Sequence, residues 1–201
     1  MLGSVIYRSA ALYELTMLAL YGRHYRARYE AIADLIPEGA TVVDLCCGPG
    51  VLYSKHLREK SVRYIGIDSN PLFVARVSRS GAQGVVADLA KPEPIPEGDY
   101  VVMQASLYHF LPNAKPIVER MIAAARERVI VAEPIRNITG SRFRLLSAIG
   151  RSLTDAGRGG EGLRFKESDL DLLFRDFPVE KSFLIPGGRE KVFVIRKSSR
   201  V

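Results

Sequence analysis

Nine residues, VVDLCCGPG from Val42 to Gly50, constrain the fold of this chain more than any other stretch. A short β-rich run ends in an acid and opens at once into a glycine turn. Such a turn lets backbone approach a ligand closely and hands the chain to the first turn of a following helix. The same punctuation recurs twice: YIGIDSN puts Asp68 at the end of a second short apolar run, and GVVADL puts Asp88 at the end of a third. Three successive strand ends therefore carry an acid.

The rest of the chain supplies the elements around those ends. Residues 9 to 35 have helical spacing, with Tyr13, Met17, Leu20 and Tyr21 on one side and Tyr25, Tyr29, Ile32 and Ile36 continuing it after Gly22. This predicts a helical cap over residues 1 to 36. Pro37, Glu38 and Gly39 break the pattern, TVVDL reads as the first strand, and residues 51 to 59 read as its helix. Arg63 to Ile67, Gln83 to Ala87, DYVVMQ and RVIVAEP read as strands two to five, with helices over Pro71 to Ser80 and Lys115 to Glu127. Strands and helices alternating in this way predict a parallel, doubly wound sheet. Near the C-terminus, VEKSFLI and KVFVIR flank PGGRE, a hairpin signature.

Residues 135 to 178 read as an insertion on the substrate side of one domain spanning residues 1 to 201. Phe143, Leu146, Ile149 and Leu153 share one helical side, opposite Arg144, Arg151 and Arg158. AGRGGEG, Ala156 to Gly162, follows as a hinge-like glycine stretch, and a further helix begins near Glu167 or Ser168.

With 47% hydrophobic residues, a chain of this length can bury one full core. Its two cysteines, Cys46 and Cys47, are adjacent and offer neither a disulfide framework nor a spaced chelating pair, which fits a reducing cytoplasm. LTMLALYG is far too short to span a bilayer. The formal charge of +7 falls almost wholly in the last third. That asymmetry fits an anionic small molecule or a membrane-associated substrate better than a nucleic acid duplex, or else a solvated basic face with no partner.

The glycine-rich run resembles the first motif of the class I S-adenosylmethionine-dependent methyltransferases, with Cys46 where many members carry a further glycine. The resemblance covers roughly residues 38 to 135 by motif and the remainder by element order. It implies a Rossmann-like α/β sheet of seven strands in the order 3-2-1-4-5-7-6, strand 7 antiparallel, with S-adenosylmethionine as cofactor and S-adenosylhomocysteine as product. It further implies that Cys46, Gly48 and Gly50 line the amino acid and sulfonium side. Asp68, with Ser69 beside it, accepts from the ribose hydroxyls, and Asp88 with Leu89 borders the adenine. Gln104 and Ala105 frame the methionine part, while Tyr21 and Tyr25 close over the ligand. Asp44 either reaches the ligand amine or braces the loop, and Arg26 either pairs with the cofactor carboxylate or faces solvent.

A dinucleotide site is the nearest competitor, since GPG supplies two glycines of its fingerprint, but the third position holds Tyr53, where close helix packing and a pyrophosphate need a glycine. On the reactive side, QASLYHFLP places Tyr108, His109 and Phe110 after strand four, facing the acceptor. His109 is the candidate general base, because an imidazole titrates near neutrality. Methyl transfer is an in-line substitution in which orientation does much of the work, so a base depends on the acceptor's proton. No metal-ligand spacing is present. The reading is methyl transfer to a small-molecule acceptor, with an RNA methyltransferase or a catalytically silent cofactor-binding protein as alternatives.

Overall fold

Seven strands form one sheet in the computed structural model, which describes residues 22–135 and 165–197 with positions 15, 17 and 18 ahead of them. They are β1 (Thr41–Leu45), β2 (Arg63–Asp68), β3 (Gln83–Val86), β4 (Gly98–Gln104), β5 (Ala125–Pro134), β6 (Val179–Leu184) and β7 (Glu190–Arg196). Their order is β3-β2-β1-β4-β5-β7-β6, as the sequence predicts. The first five run parallel, and β7 runs antiparallel to both β5 and β6. The predicted helix carrying Arg144, Arg151 and Arg158, and the glycine stretch after it, lie outside the described residues, as does Tyr21.

The helices are α1 (Ala27–Ala33), α2 (Pro71–Arg79), α3 (Lys115–Ala124) and α4 (Glu167–Phe174). The strands of a parallel sheet are covered on both faces, so each reads as a nearly continuous apolar run. Val43, Leu45, Val101 and Met103 pack with Met121 of α3 and Phe174 of α4 on one face. Val42, Tyr100 and Val102 pack with Ile32 of α1 and Val77 of α2 on the other. After β1 the chain winds as a π turn over Tyr53–Leu57 and then as a 3-10 turn over Arg58–Lys60. Tyr53 and Leu57 are both buried there, and the Tyr53 ring stacks on Tyr64 at 4.9 Å.

One boundary differs from expectation. The helical pattern predicts α3 as far as Glu127, yet the helix stops at Ala124 and Ala125 turns extended to start β5. The cause is remote in sequence. Lys197, just beyond β7, places its Nζ 2.8 Å from the Ile122 carbonyl oxygen and 3.0 Å from that of Ala123, capping the helix. Arg126 then pairs with Asp99 at 2.8 Å, and Glu127 accepts from the Tyr100 hydroxyl at 3.1 Å.

At the opposite side of the sheet, α2 begins on an Asn70 cap whose side chain accepts from the Leu72 N–H at 3.0 Å, with Pro71 in the first turn. The helix lies directly on Gly84. A Cβ there would sit 2.7 Å from the Val74 carbonyl oxygen and 2.7 Å from Ser78 Oγ. Gly84→Ala should therefore push α2 off β3 and cost about 1–3 kcal/mol of stability, read as a lower urea midpoint with an unchanged slope.

Candidate functional site

The chain turns from β1 toward β2 on one side and returns to β4 on the other, so the carboxyl ends of β1 and β4 diverge. An open α/β sheet holds its ligand crevice at such a switch point. Here a small crevice opens to solvent. Asp44, Cys46, Cys47 and Gly48 form one wall, Gln104, Ala105 and Ser106 a second, and Arg28 and Tyr29 of α1 close the top.

The loop at its floor has an unusual backbone. Cys46, Gly48 and Gly50 all take left-handed conformations, with φ of 55°, 54° and 73°. Cys46 bears this conformation despite its side chain. Gly50 admits nothing larger than hydrogen, because a Cβ would lie 2.8 Å from Val77 Cγ2 of α2. The Cys47 N–H donates to the Ile67 carbonyl at 3.1 Å and the Gly48 N–H to Asp68 Oδ2 at 2.9 Å, so the end of β2 holds the loop. The other Asp68 oxygen accepts from the Asn70 N–H at 2.8 Å. Burial raises the Asp68 pKa, with the N–H groups of Asn70, Gly48 and Ser69 working against the rise. Each carboxylate oxygen has two acceptor positions, which leaves room for ligand hydroxyls.

Asp44 lies at the base of the crevice, 4% exposed, and accepts a short hydrogen bond from the Tyr64 hydroxyl. Burial pushes its pKa up to about 7, against the Tyr64 bond and with help from the Asp68 charge. The Cys47 thiol is pushed up as well, by burial and then by Asp44 and Asp68, and so stays protonated at neutral pH.

Arg28 is a crevice-lining residue that the sequence pattern misses. It is 2% exposed, its carbonyl accepts from Gln104 Nε2 at 2.9 Å, and its Nη2 is 2.8 Å from Glu190 Oε1. Arg26, the arginine weighed for the cofactor carboxylate, is the solvent-facing one: its side chain is 80% exposed and pairs with Glu30 at 2.7 Å. The buried side of α1 runs through Arg28, Tyr29, Ile32 and Ala33, and Arg26 falls off it. Tyr29 rather than Tyr25 reaches the crevice wall. Tyr25 meets it edge-on at 5.4 Å, and on the other side Tyr29 stacks on His56 at 5.6 Å.

The remaining predicted residues sit around the crevice rather than on it. Ser69 is exposed beside Asp68. Asp88 follows β3 and caps its own turn, accepting from the Ala90 N–H at 3.0 Å. Leu89 is buried, and its carbonyl accepts from Arg120 Nη1 at 2.6 Å. His109 is half-buried in the 3-10 turn Leu107–Phe110, its ring 4.0 Å from that of Tyr108, and is not on the crevice wall.

Glu133, a second residue missed from sequence, shapes that turn. It is wholly buried near the end of β5 and accepts from the Leu107 N–H at 2.9 Å and the Tyr108 N–H at 3.4 Å. An acid in the apolar run VIVAEP is the signal that could have pointed to it. Glu133→Ala strands those buried amides and should cost at least about 2 kcal/mol of stability, measurable by denaturant melts, with faster hydrogen exchange at Leu107 and Tyr108.

Comparison with known proteins agrees with this geometry. The family model described as methionine biosynthesis protein MetW matches residues 26–156. The chain is 35% identical over 107 residues to the trans-aconitate 2-methyltransferase of Mycobacterium tuberculosis, a match covering 52% of this chain and 41% of that protein. The chain thus spans less than half the length of the curated relatives it matches. Among solved structures, the magnesium protoporphyrin IX methyltransferase of Synechocystis superposes with a TM-score of 0.65 at 15% identity, over 96% of this chain and 97% of that one. A TehB-like methyltransferase from Corynebacterium glutamicum superposes with a TM-score of 0.63 at 19% identity, over 94% and 98%. At such identities the solved structures speak for the fold, while the motif loop and the family model carry the kinship. The chain belongs to the MetW family, within the class I S-adenosylmethionine-dependent methyltransferases.

Proposed function

We propose that the protein binds S-adenosylmethionine in the crevice between β1 and β4 and methylates a small anionic acceptor. The observation that carries this reading is a buried anion and a buried cation, Asp44 and Arg28, on the walls of one crevice. That pair complements the ammonium and carboxylate of an α-amino acid, and the Asp68 carboxylate beside the same loop complements a ribose diol. These groups support a site for the amino acid end and the ribose of the cofactor.

In this reading Arg28 holds the cofactor carboxylate and Asp44 the ammonium. Cys46, Gly48 and Gly50 bring the loop backbone against the methionine part, and Gln104 and Ala105 frame it from β4. Asp68 accepts from both ribose hydroxyls with Ser69 at the rim, Asp88 and Leu89 border the adenine, and Tyr25 supports Tyr29 over the ligand. The cofactor supplies an electrophilic methyl group on a sulfonium. The acceptor approaches from the Tyr108–Phe110 turn, where His109 takes its proton if it has one to lose. The curated relatives are named for trans-aconitate, which favours a small carboxylate acceptor over RNA. The free Cys46 and Cys47 suit a reducing cytoplasm.

Calorimetric titration with S-adenosylmethionine and S-adenosylhomocysteine tests the cofactor site, and a screen of carboxylic acids with labelled methyl tests the acceptor. Binding of neither nucleoside sinks the proposal. Cofactor binding with no transfer to any acceptor points to a silent binding protein, and tight RNA binding with a steep salt slope points to RNA as substrate.

A further inference from the structure

Opposite charges that share a crevice attract each other, and in a low-dielectric pocket the attraction is strong. The Asp44 carboxylate is held by the Tyr64 hydroxyl, with the Asp68 charge nearby. The Arg28 guanidinium is held instead by Glu190, the first residue of β7, which pairs with Pro134 at the end of β5.

This contact differs from those of Glu133, the buried carboxylate near the end of β5. Both Glu133 oxygens accept backbone N–H groups and so hold a turn in place. Neither Glu190 oxygen has a hydrogen-bond donor in line, although the side chain is 2% exposed and lies 2.8 Å from Arg28. A buried ion pair of that kind is a poor source of stability, since desolvation offsets its attraction. It does fix where a long, flexible side chain puts its charge.

We infer that Glu190 is a positioning residue that holds the Arg28 guanidinium off Asp44, keeping a cation and an anion apart on the crevice walls for the two ends of the cofactor's amino acid. The inference rests on the cofactor reading above. Without Glu190, Arg28 swings onto Asp44, and the two charges satisfy each other instead of the ligand.

The test is calorimetry on Glu190→Gln with two probes, S-adenosylhomocysteine and 5′-methylthioadenosine, which lacks the amino acid end. S-adenosylhomocysteine affinity should fall about tenfold while 5′-methylthioadenosine stays within about twofold. The gain in S-adenosylhomocysteine affinity between about pH 5.5 and 7 should also flatten, because Asp44, which faces Tyr64, Asp68 and Cys47, would then titrate beside a cation. Because Glu190→Gln leaves a buried guanidinium uncompensated, a second pair guards against misfolding: Arg28→Met alone and Arg28→Met with Glu190→Leu. If Glu190 acts through Arg28, the added substitution changes S-adenosylhomocysteine affinity by less than about twofold. Equal losses for both probes, or a further large loss in the Arg28→Met background, would overturn the inference. Wild-type protein that binds neither probe overturns the cofactor reading and this inference with it.

Discussion

Asp68→Ala should bind S-adenosylmethionine about ten- to a hundredfold more weakly than wild type, because charge-assisted hydrogen bonds to two ribose hydroxyls are worth about 1.5–3 kcal/mol. The loss has a second source. Asp68 also accepts the Gly48 N–H at 2.9 Å, so the variant frees the loop that carries the left-handed residues Cys46, Gly48 and Gly50. Asp68→Asn separates the two contributions. It keeps one acceptor oxygen for the loop or the ribose and should lose less. Calorimetry on folded protein decides the matter, and unchanged affinity in Asp68→Ala removes Asp68 from the site.

Cofactor affinity should rise with pH up to about 7 and then level off, and Asp44 is the cause. Its carboxyl titrates near 7 in the free protein, so below that pH it is mostly neutral. An ammonium placed beside it favours the carboxylate, which means that binding expels a proton. The affinity therefore climbs by at most about tenfold per pH unit below 7, and the binding heat varies with the ionisation enthalpy of the buffer. The same group shapes stability with a definite sign. Its folded pKa lies above its ordinary value of 3.8, so the folded state holds the extra proton and the free protein loses stability as pH rises from about 4 to about 7. The interval corresponds to at most about 4 kcal/mol. Asp68 is raised too and adds in the same direction, whereas Tyr64 and Cys47 titrate far above this window. Asp44→Asn should flatten both the affinity profile and most of the stability profile. An affinity that is independent of pH in the wild type excludes Asp44 as the partner of the ammonium.

The strands are legible in the sequence because a strand buried on both faces has few polar interruptions, so Val42–Val43, Tyr64–Ile67 and Tyr100–Met103 stand out as apolar runs followed by Asp44, Asp68 and Gln104, while their order follows from the family resemblance. The loop was legible for a related reason: only a few residue types tolerate three left-handed positions in five. What stayed hidden depends on partners far away in the chain. Arg26 and Arg28 are two residues apart at the start of α1, and charge alone assigns both to solvent; Arg28 is buried where it meets Glu190 at β7. The end of α3 depends on Lys197, and the role of Glu133 on amides of the turn after β4. His109 follows β4 in a 3-10 turn that sets its ring 4.0 Å from that of Tyr108, a contact that its place after the strand does not foretell. Spacing within one element does not foresee how a short turn aims its side chains.

Of the seven described strands, β7 is translated last, and it is an inner one. β7 lies between β5 and β6, and until it arrives the β5 edge carries open N–H and C=O groups from Arg128 to Pro134 beside the apolar side chains Val129, Ile130, Val131 and Ala132. A nascent chain that stalls or is cleaved before Glu190 would therefore present a strand ready to pair with a second unfinished copy. For this protein, cellular yield should depend on how quickly the β6–β7 hairpin follows β5.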